Sequence, residues 1–394
     1  MKKIAILFFA IFFLNNISNA QWTAVNTGLP TSGTSEFESF TSIGTNLFVG
    51  TGVGVYVTSD NGANWSAVNT GLIDTDIEVL ASIGTTLFAG TGNGIFKSNN
   101  NGGNWTAINS GLDTSMGTSV YALFASGSNL FAGTEAGVFL SVSPYTSWTA
   151  VNTGLQQFDY YAFAQIGSYI FTGGLGVYRT SNNGASWVNL TSGLPSLLNS
   201  DFESFAVLGA NVFAGDLGLG VYLSTDSGTN WSAVNTGLTD THTQALAVDG
   251  PNLFAGGLNG GVFISINNGA NWTAVNTGLT NLTVLSLQVF GSYLFAGTAG
   301  GVFRTPLSSF AGIKDIYNKN IHVNIFPNPC TKTFQITCDQ PGIKNIEIYN
   351  VLGKCVLQKE INNKNIDVSS LTSGIYIIKV TGEGWMAQEK IIRN

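Results

Sequence analysis

Positive charge is nearly missing from most of this chain. Between residues 21 and 310 there are three basic side chains, Lys97, Arg179 and Arg304, against fifteen acidic ones, a net charge of −12. Nucleic-acid binding needs clustered Lys and Arg on phosphates, so that function is excluded for this segment. Charge of either sign is scarce, at 9% of 394 residues, where about 25% is usual. Histidine occurs twice, and His242 is the only one before residue 310. A nucleophilic triad or a His-built zinc site has too little to work with. The three cysteines, Cys330, Cys338 and Cys355, lie near the end of the chain, in a spacing that fits no zinc or haem pattern. Their odd number leaves at least one unpaired within the chain. Small buried thiols are the simpler reading, and one disulfide is the other. After the first twenty residues no run reaches the ~18 apolar residues of a membrane-crossing helix, so no transmembrane helix is expected in the mature chain.

What is abundant is glycine, at 49 residues, and aromatic side chains, at 12%. With 44% hydrophobic residues the chain is not a disordered one. The composition suits tight turns between layered sheets. It is also periodic. Trp22, Trp65, Trp105, Trp148, Trp187, Trp231 and Trp272 recur at spacings of 43, 40, 43, 39, 44 and 41 residues. A period near 40 in β-type sequence indicates a propeller or a related array.

Each period holds four strand-length segments. In the first they are Phe37 to Ile43, Leu47 to Gly50, Val55 to Val57 and Trp65 to Asn69. All are rich in β-branched and aromatic residues and bounded by Gly, Asn, Asp or Thr. None has sustained helical spacing, so each period reads as a four-stranded antiparallel meander. The second segments carry seven phenylalanines, Phe48, Phe88, Phe131, Phe171, Phe213, Phe254 and Phe295. The chain begins on a fourth-strand segment at Trp22 and its last period stops after a third-strand segment at Arg304. That offset predicts a closed ring in which the N-terminal strand completes the last blade, leaving no open edge. The fold class expected is all-β: a seven-bladed β-propeller closed by the N-terminal strand, plus a small C-terminal β-sandwich.

The turn before each tryptophan has its own pattern, Ser/Thr-x-Asp/Asn-x-Gly-x-x-Trp. It places Asp60 before Trp65, Asn100 before Trp105, Asn182 before Trp187, Asp226 before Trp231 and Asn267 before Trp272. Asp or Asn can bond the N–H groups of its own turn, Gly permits positive φ, and the indole buries between layers. The third copy, Ser141 to Trp148, lacks both the Asp/Asn and the Gly. The repeat resembles the Asp-box, or BNR, repeat of sialidases, sortilin-type receptors and secreted bacterial propellers. That resemblance implies a structural role for these turns and names no activity. The sequons at Asn64, Asn104, Asn230 and Asn271 fall inside the same turns, which explain them fully.

Residues 1–20 read as a signal peptide: Lys2-Lys3, an apolar run from Ile4 to Leu14, and a small-residue end at Ser18-Asn19-Ala20. The expected organisation is then a propeller over 21–307, a linker over 308–322 and a distinct domain over 323–394. This last segment is Lys-rich, with a net charge of +3 from residue 311 onward. Its motifs come in order: Val323 to Pro329, Ile348 to Lys354, Ile366 to Tyr376, and Lys390-Ile391-Ile392. They resemble the type A C-terminal sorting domain of type IX secretion cargo in Bacteroidetes. The resemblance implies the type IX machinery as a partner and a secreted or outer-membrane surface location, reached through the periplasm.

In a meander blade the loops joining one blade to the next cluster around the inner strands, on the face opposite the Trp turns. Aligned on the glycines that end those strands, the repeats place Glu36, Asp76, Asp159 and Asp201 at one position. Glu38, Glu78, Tyr121, Tyr161 and Glu203 fall two residues later. A partial acidic ring with aromatics is therefore expected around one mouth of the channel. The simplest reading is a solvated loop face. A second is a binding mouth, since paired carboxylates hold Ca²⁺ or sugar hydroxyls and Tyr stacks on sugar rings. A third is a glycoside hydrolase, which needs two carboxylates at a set separation. No other cofactor or metal is expected. The sialidases bind their substrate carboxylate with three arginines, and Arg179 and Arg304 are too few. The Asp-box xyloglucanases are double propellers, twice this architecture. The reading adopted is a binding or interaction module for a glycan or protein ligand; the alternative is a glycoside hydrolase on polysaccharide.

Overall fold

The structure, a computed structural model, describes residues 22–30, 36–113, 118–156, 159–190, 192–194, 200–310, 323–338, 343–350, 355–360, 365–382 and 385–394. The expected signal peptide lies outside the described residues, as do residues 311–322 of the expected linker. The chain divides into two compact units, before and after residue 313.

The first unit is a ring of seven four-stranded antiparallel sheets. In blade 1 the strands are Phe37–Ile43, Asn46–Thr51, Gly54–Thr58 and Ser66–Ala67, paired in that order. The same unit recurs in blades 2 to 6. Blade 7 is built from Val284–Phe290, Tyr293–Thr298 and Gly301–Pro306, and its fourth strand is Thr23–Ala24. Thr23 pairs with Arg304 and Ala24 with Phe303, so the ring is closed by the N-terminal strand. The inner strands of blades 1 and 7 also meet, where Ser286 Oγ donates to Phe37 O at 2.7 Å.

The core lies between blades rather than within them. Seven buried clusters correspond to the seven interfaces. The interface of blades 1 and 2, for example, joins Phe48 and Val55 to Ile77, Leu87, Phe96 and Trp105. Each indole packs on the blade before it. Six donate Nε1–H to a carbonyl there, as Trp65 does to Val25 O at 2.9 Å and Trp272 to Val234 O at 2.7 Å. The indole Nε1 of Trp231 is buried without a partner. Trp backbone N–H groups staple the same seams, with Trp65 N donating to Thr27 O at 2.9 Å and Trp105 N to Thr70 O at 2.8 Å. This close approach requires glycine. A Cβ on Gly71, which has φ +91°, would stand 2.5 Å from Trp105 O.

Leu307–Phe310 forms a 3₁₀ turn. Phe310 is buried, with its ring centroid 4.9 Å from that of Phe254. Residues 308–310 fall in the segment expected to be linker; burial of one large aromatic against blade 6 holds them to the propeller.

The second unit has two sheets around one core. Three strands are Val323–Phe326, Thr333–Cys338 and Asn365–Asp367. Four are Ile343–Asn350, Cys355–Glu360, Gly374–Gly382 and Trp385–Arg393. Ile336, Ile346, Ile348, Ile378, Val380 and Ile391 fill the space between them. Cys330 is free and buried in this core, which raises its thiol pKa. Among the described residues no helix is long and apolar enough to cross a membrane.

Candidate functional site

Six of the seven inner strands carry a β-bulge at the same place. The register skips one residue between Phe37 and Ser39, and likewise in blades 2, 3, 5, 6 and 7. The skipped residues are Glu38, Glu78, Tyr121, Glu203, Gln244 and Leu285. A bulged residue is released from the ladder and its side chain is re-aimed, a device common beside functional sites. In blade 4 the equivalent Tyr161 precedes the strand Ala162–Ile166 and donates its N–H to Gly173 O at 2.9 Å.

These positions open on a cavity of about 340 Å³ at the centre of the ring. Its rim holds Glu38, Tyr121, Tyr161, Glu203 and Gln244. Deeper along the same strands the lining turns apolar, with Phe40, Leu80, Phe124, Phe163, Phe205 and Leu287. Phe124 and Phe163 stack there with centroids 5.9 Å apart.

The expected ring of acids is grouped rather than continuous. Glu36, Glu38, Asp76 and Glu78 form one group across blades 1 and 2. Burial pushes Glu38 up to about 9, helped by the hydrogen bonds its protonated carboxyl donates to Glu36 and Glu78 and by the charge of Glu78. Burial raises Glu78 and Asp76 as well. The second group is Asp201 and Glu203. Burial, with the charges of Asp216 and Asp159, pushes Asp201 up to about 6. Burial, with the charge of Asp201, pushes Glu203 up to about 7. Gln244 donates to Glu203. In the neighbouring blades 3 and 4, the rings of Tyr121 and Tyr161 lie 5.1 Å apart. Tyr121 donates its hydroxyl to Glu135 at 2.9 Å, and Tyr161 donates its own to Asp159 at 3.1 Å. Burial drives both phenols up, Tyr121 to about 12. Blades 6 and 7 interrupt the ring with His242, Thr283 and Leu285.

Two participants went unnoticed in the sequence. Asp216 stands where other blades have Thr51, Thr91, Thr134 and Thr298. There the Thr hydroxyl holds the adjoining turn, as Thr51 Oγ1 accepts from Val53 N. The Asp216 carboxylate accepts instead from Leu219 N at 2.8 Å and Asp201 N at 2.9 Å, which fixes Asp201 beside Glu203. Glu135 sits in the corresponding turn of blade 3. A carboxylate breaking an otherwise Thr- or Gly-rich repeat position was the available signal.

The five Asp/Asn turns lie on the opposite face, and their side chains are consumed locally. Asp60 Oδ1 accepts from Thr58 Oγ1 at 2.7 Å and Asn64 N at 2.9 Å, and its Oδ2 accepts from Asn64 Nδ2 at 2.9 Å. These bonds, led by the Asn64 side chain, lower Asp60 to about 2. Asn100, Asn182, Asp226 and Asn267 repeat the geometry. In the deviant third turn Tyr145 stands at the glycine position, with φ 57°. Where Gly184 and Gly228 abut Phe131 and Phe171 of the preceding blades, the ring of Tyr145 meets Phe88 edge-on at 5.2 Å. All three cations of the propeller serve this face. Lys97 donates to Pro144 O at 2.9 Å, Arg179 to Ser227 O and Arg304 to Asn61 O. Arg179 and Arg304 also lie over the rings of Tyr169 and Tyr293.

Ca²⁺ binding does not follow from this arrangement. Among the described residues no group of three or more His, Cys, Asp or Glu side chains has the geometry to hold a metal ion. The Glu36–Glu38–Glu78 carboxyls bond one another instead, which leaves fewer oxygens for a cation.

Residues 324–394 match the family of the secretion system C-terminal sorting domain. This end of the chain is a type IX sorting domain. Ulvan lyase NLR42 of Nonlabens ulvanivorans is 33% identical over 76 residues, 18% of this chain and 14% of its own length. The chain thus corresponds to a small part of that curated relative. Among solved structures, PorZ is an essential surface component of the type IX secretion system of Porphyromonas gingivalis. It is similar with a TM-score of 0.57 at 16% identity, covering 94% of this chain and 61% of PorZ. The GH74 xyloglucanase from Xanthomonas campestris is similar with a TM-score of 0.57 at 15% identity, covering 84% of this chain and 57% of the xyloglucanase. At such identities the likeness is one of fold. The protein is a type IX secretion cargo with a β-propeller body, exported to the cell surface or the medium.

Proposed function

We propose that the propeller is a binding module whose ligand site is the mouth formed by its inner strands, and that the ligand is a polysaccharide. The observation that carries this is the bulge. It releases one residue in each of six blades from the ladder and turns Glu38, Tyr121, Glu203 and Gln244 toward one cavity. Carboxyls with raised pKa both donate and accept hydrogen bonds, as sugar hydroxyls require, and tyrosine faces suit pyranose rings. A glycan array with the full chain tests it. Tyr161→Ala should weaken the best binder by about tenfold with an unchanged melting temperature. An array with no binder, or binding indifferent to Tyr161, overturns the reading.

A glycoside hydrolase is the second reading. Glu203, pushed up to about 7, carries a proton near neutral pH, as a general acid must. Release of reducing ends from a bound polysaccharide, abolished in Glu203→Gln, would establish hydrolysis. Binding without release on the same panel would leave the module non-catalytic.

A further inference from the structure

The charge of the propeller is segregated by face. Each inner strand starts at the mouth, so the blade-joining loops and the turns between second and third strands share that face. Twelve of the fifteen acidic residues lie there; only Asp60, Asp226 and Asp249 fall on the other side. None of the three cations is at the mouth, because Lys97, Arg179 and Arg304 are committed to turn carbonyls on the opposite face. The opposite face is formally neutral and the mouth face carries the net charge of −12. Solubility alone gives no reason for such a division, since it is served by charge on any face. One carboxylate oxygen at the mouth, Asp201 Oδ1, is buried with no hydrogen-bond partner in the protein.

The cavity supplies the rest of the specification. Tyr121 and Tyr161 have their hydroxyls tied to Glu135 and Asp159. Their ring faces, rather than their hydroxyls, are therefore left for a ligand. Carboxylates occupy the neighbouring blades on both sides of the pair. A ligand that answers both features has rings with an apolar face and positive charge on the same unit. Resting on the mouth-site reading above, we infer that the polysaccharide is a cationic one, built from amino sugars with free ammonium groups. The ring face stacks on the tyrosine pair, and the ammonium groups meet Glu36, Glu38 and Glu78 on one side and Asp201 and Glu203 on the other.

Calorimetry with the full chain tests this, using a glucosamine hexamer, its N-acetylated counterpart and hexalysine at neutral pH and low salt. The acetylated hexamer keeps the rings and removes the charge; hexalysine keeps the charge and removes the rings. The glucosamine hexamer should bind at least about tenfold more tightly than either. Glu36→Gln/Glu38→Gln/Glu78→Gln should lose about tenfold. Gln244 already occupies the position of Glu38 and Glu78 in blade 6, and the uncharged Ser119 that of Glu36 in blade 3, so the change is tolerable to the fold. The charge-matched control Asp60→Asn/Asp226→Asn/Asp249→Asn should bind as the parent does; Asn already performs the turn role of Asp60 and Asp226 at Asn100, Asn182 and Asn267, and Asp249 ends an inner strand away from the mouth. Equal binding of the acetylated hexamer overturns the inference but leaves the glycan-binding reading intact. Equal binding of hexalysine overturns it in favour of a basic protein partner. Equal loss in the control variant overturns it as bulk charge attraction. Failure of every saccharide overturns both readings.

Discussion

Seven indoles hold the blades to one another, six of them with a hydrogen bond as well as buried area. Trp272 and Trp231 are equally buried, at 4% exposure each. Only Trp272 has a carbonyl partner, and Trp231 Nε1 has none. Trp272→Phe should therefore cost about 1 kcal/mol more than Trp231→Phe in denaturant unfolding, because it also strands Val234 O. Equal costs would show that the bond contributes nothing. Alanine at either site should cost ~3–5 kcal/mol. Glu38 makes a different kind of prediction. Its folded pKa, about 9, lies above the ordinary 4.5 of a glutamate, so the folded state binds a proton that the unfolded state gives up. The associated stability is complete below about pH 4.5 and lost as pH rises toward 9, and Glu203 and Asp201 act in the same direction. The melting temperature should fall between pH 5 and pH 9. Glu38→Gln should flatten that fall and raise the melting temperature by a few degrees at the alkaline end. A parent curve that rises with pH would contradict the burial of these carboxyls.

The elements of the propeller were legible in the sequence because every blade repeats the same local pattern. A Phe in the second strand, a Trp at the start of the fourth and a Gly in all but one of the turns before Trp65, Trp105, Trp148, Trp187, Trp231 and Trp272 can be counted without knowing what they touch. The ring closure was legible too, since the missing fourth strand at Arg304 and the surplus one at Trp22 are arithmetic of the repeat. Other features depend on what one blade does to the next. Tyr145 replaces a turn glycine because Phe88 of the preceding blade offers it an edge contact, and nothing near Tyr145 announces this. The bulges at Glu38, Glu78 and Glu203 are shifts of register, which leave the order of residues unchanged. The proton-sharing carboxyls of Glu38 and Glu78 lie 40 residues apart and meet only because their inner strands are neighbours. The closing strand is the element most open to test. Without residues 22–30 the strand Gly301–Pro306 loses one of its two partners and the interface of blades 6 and 7 loses Trp22. An exposed edge of that kind templates association. The deleted protein should aggregate, seen as loss of the monomer peak on size exclusion. A soluble monomer with parent-like melting would show that closure adds little.

At the scale of the whole molecule, two units of opposite charge balance do different work. The propeller's seven clusters draw on residues 22–310 and the second unit's core on residues 323–391. Each unit thus has its own hydrophobic core, the usual condition for folding alone. The sorting domain supplies the address and the propeller the cargo. Deleting residues 323–394 should then leave the propeller's melting transition in place, because no residue of its clusters is removed. It should also stop export, with the protein held in the periplasm, since the expected leader at residues 1–20 is retained while the type IX signal is gone. Fractionation and a melting curve on the same truncated protein separate the two claims. Truncated protein in the medium or on the cell surface would refute the sorting role of the C-terminal unit. An unfolded protein would refute the independence of the propeller, whatever its location.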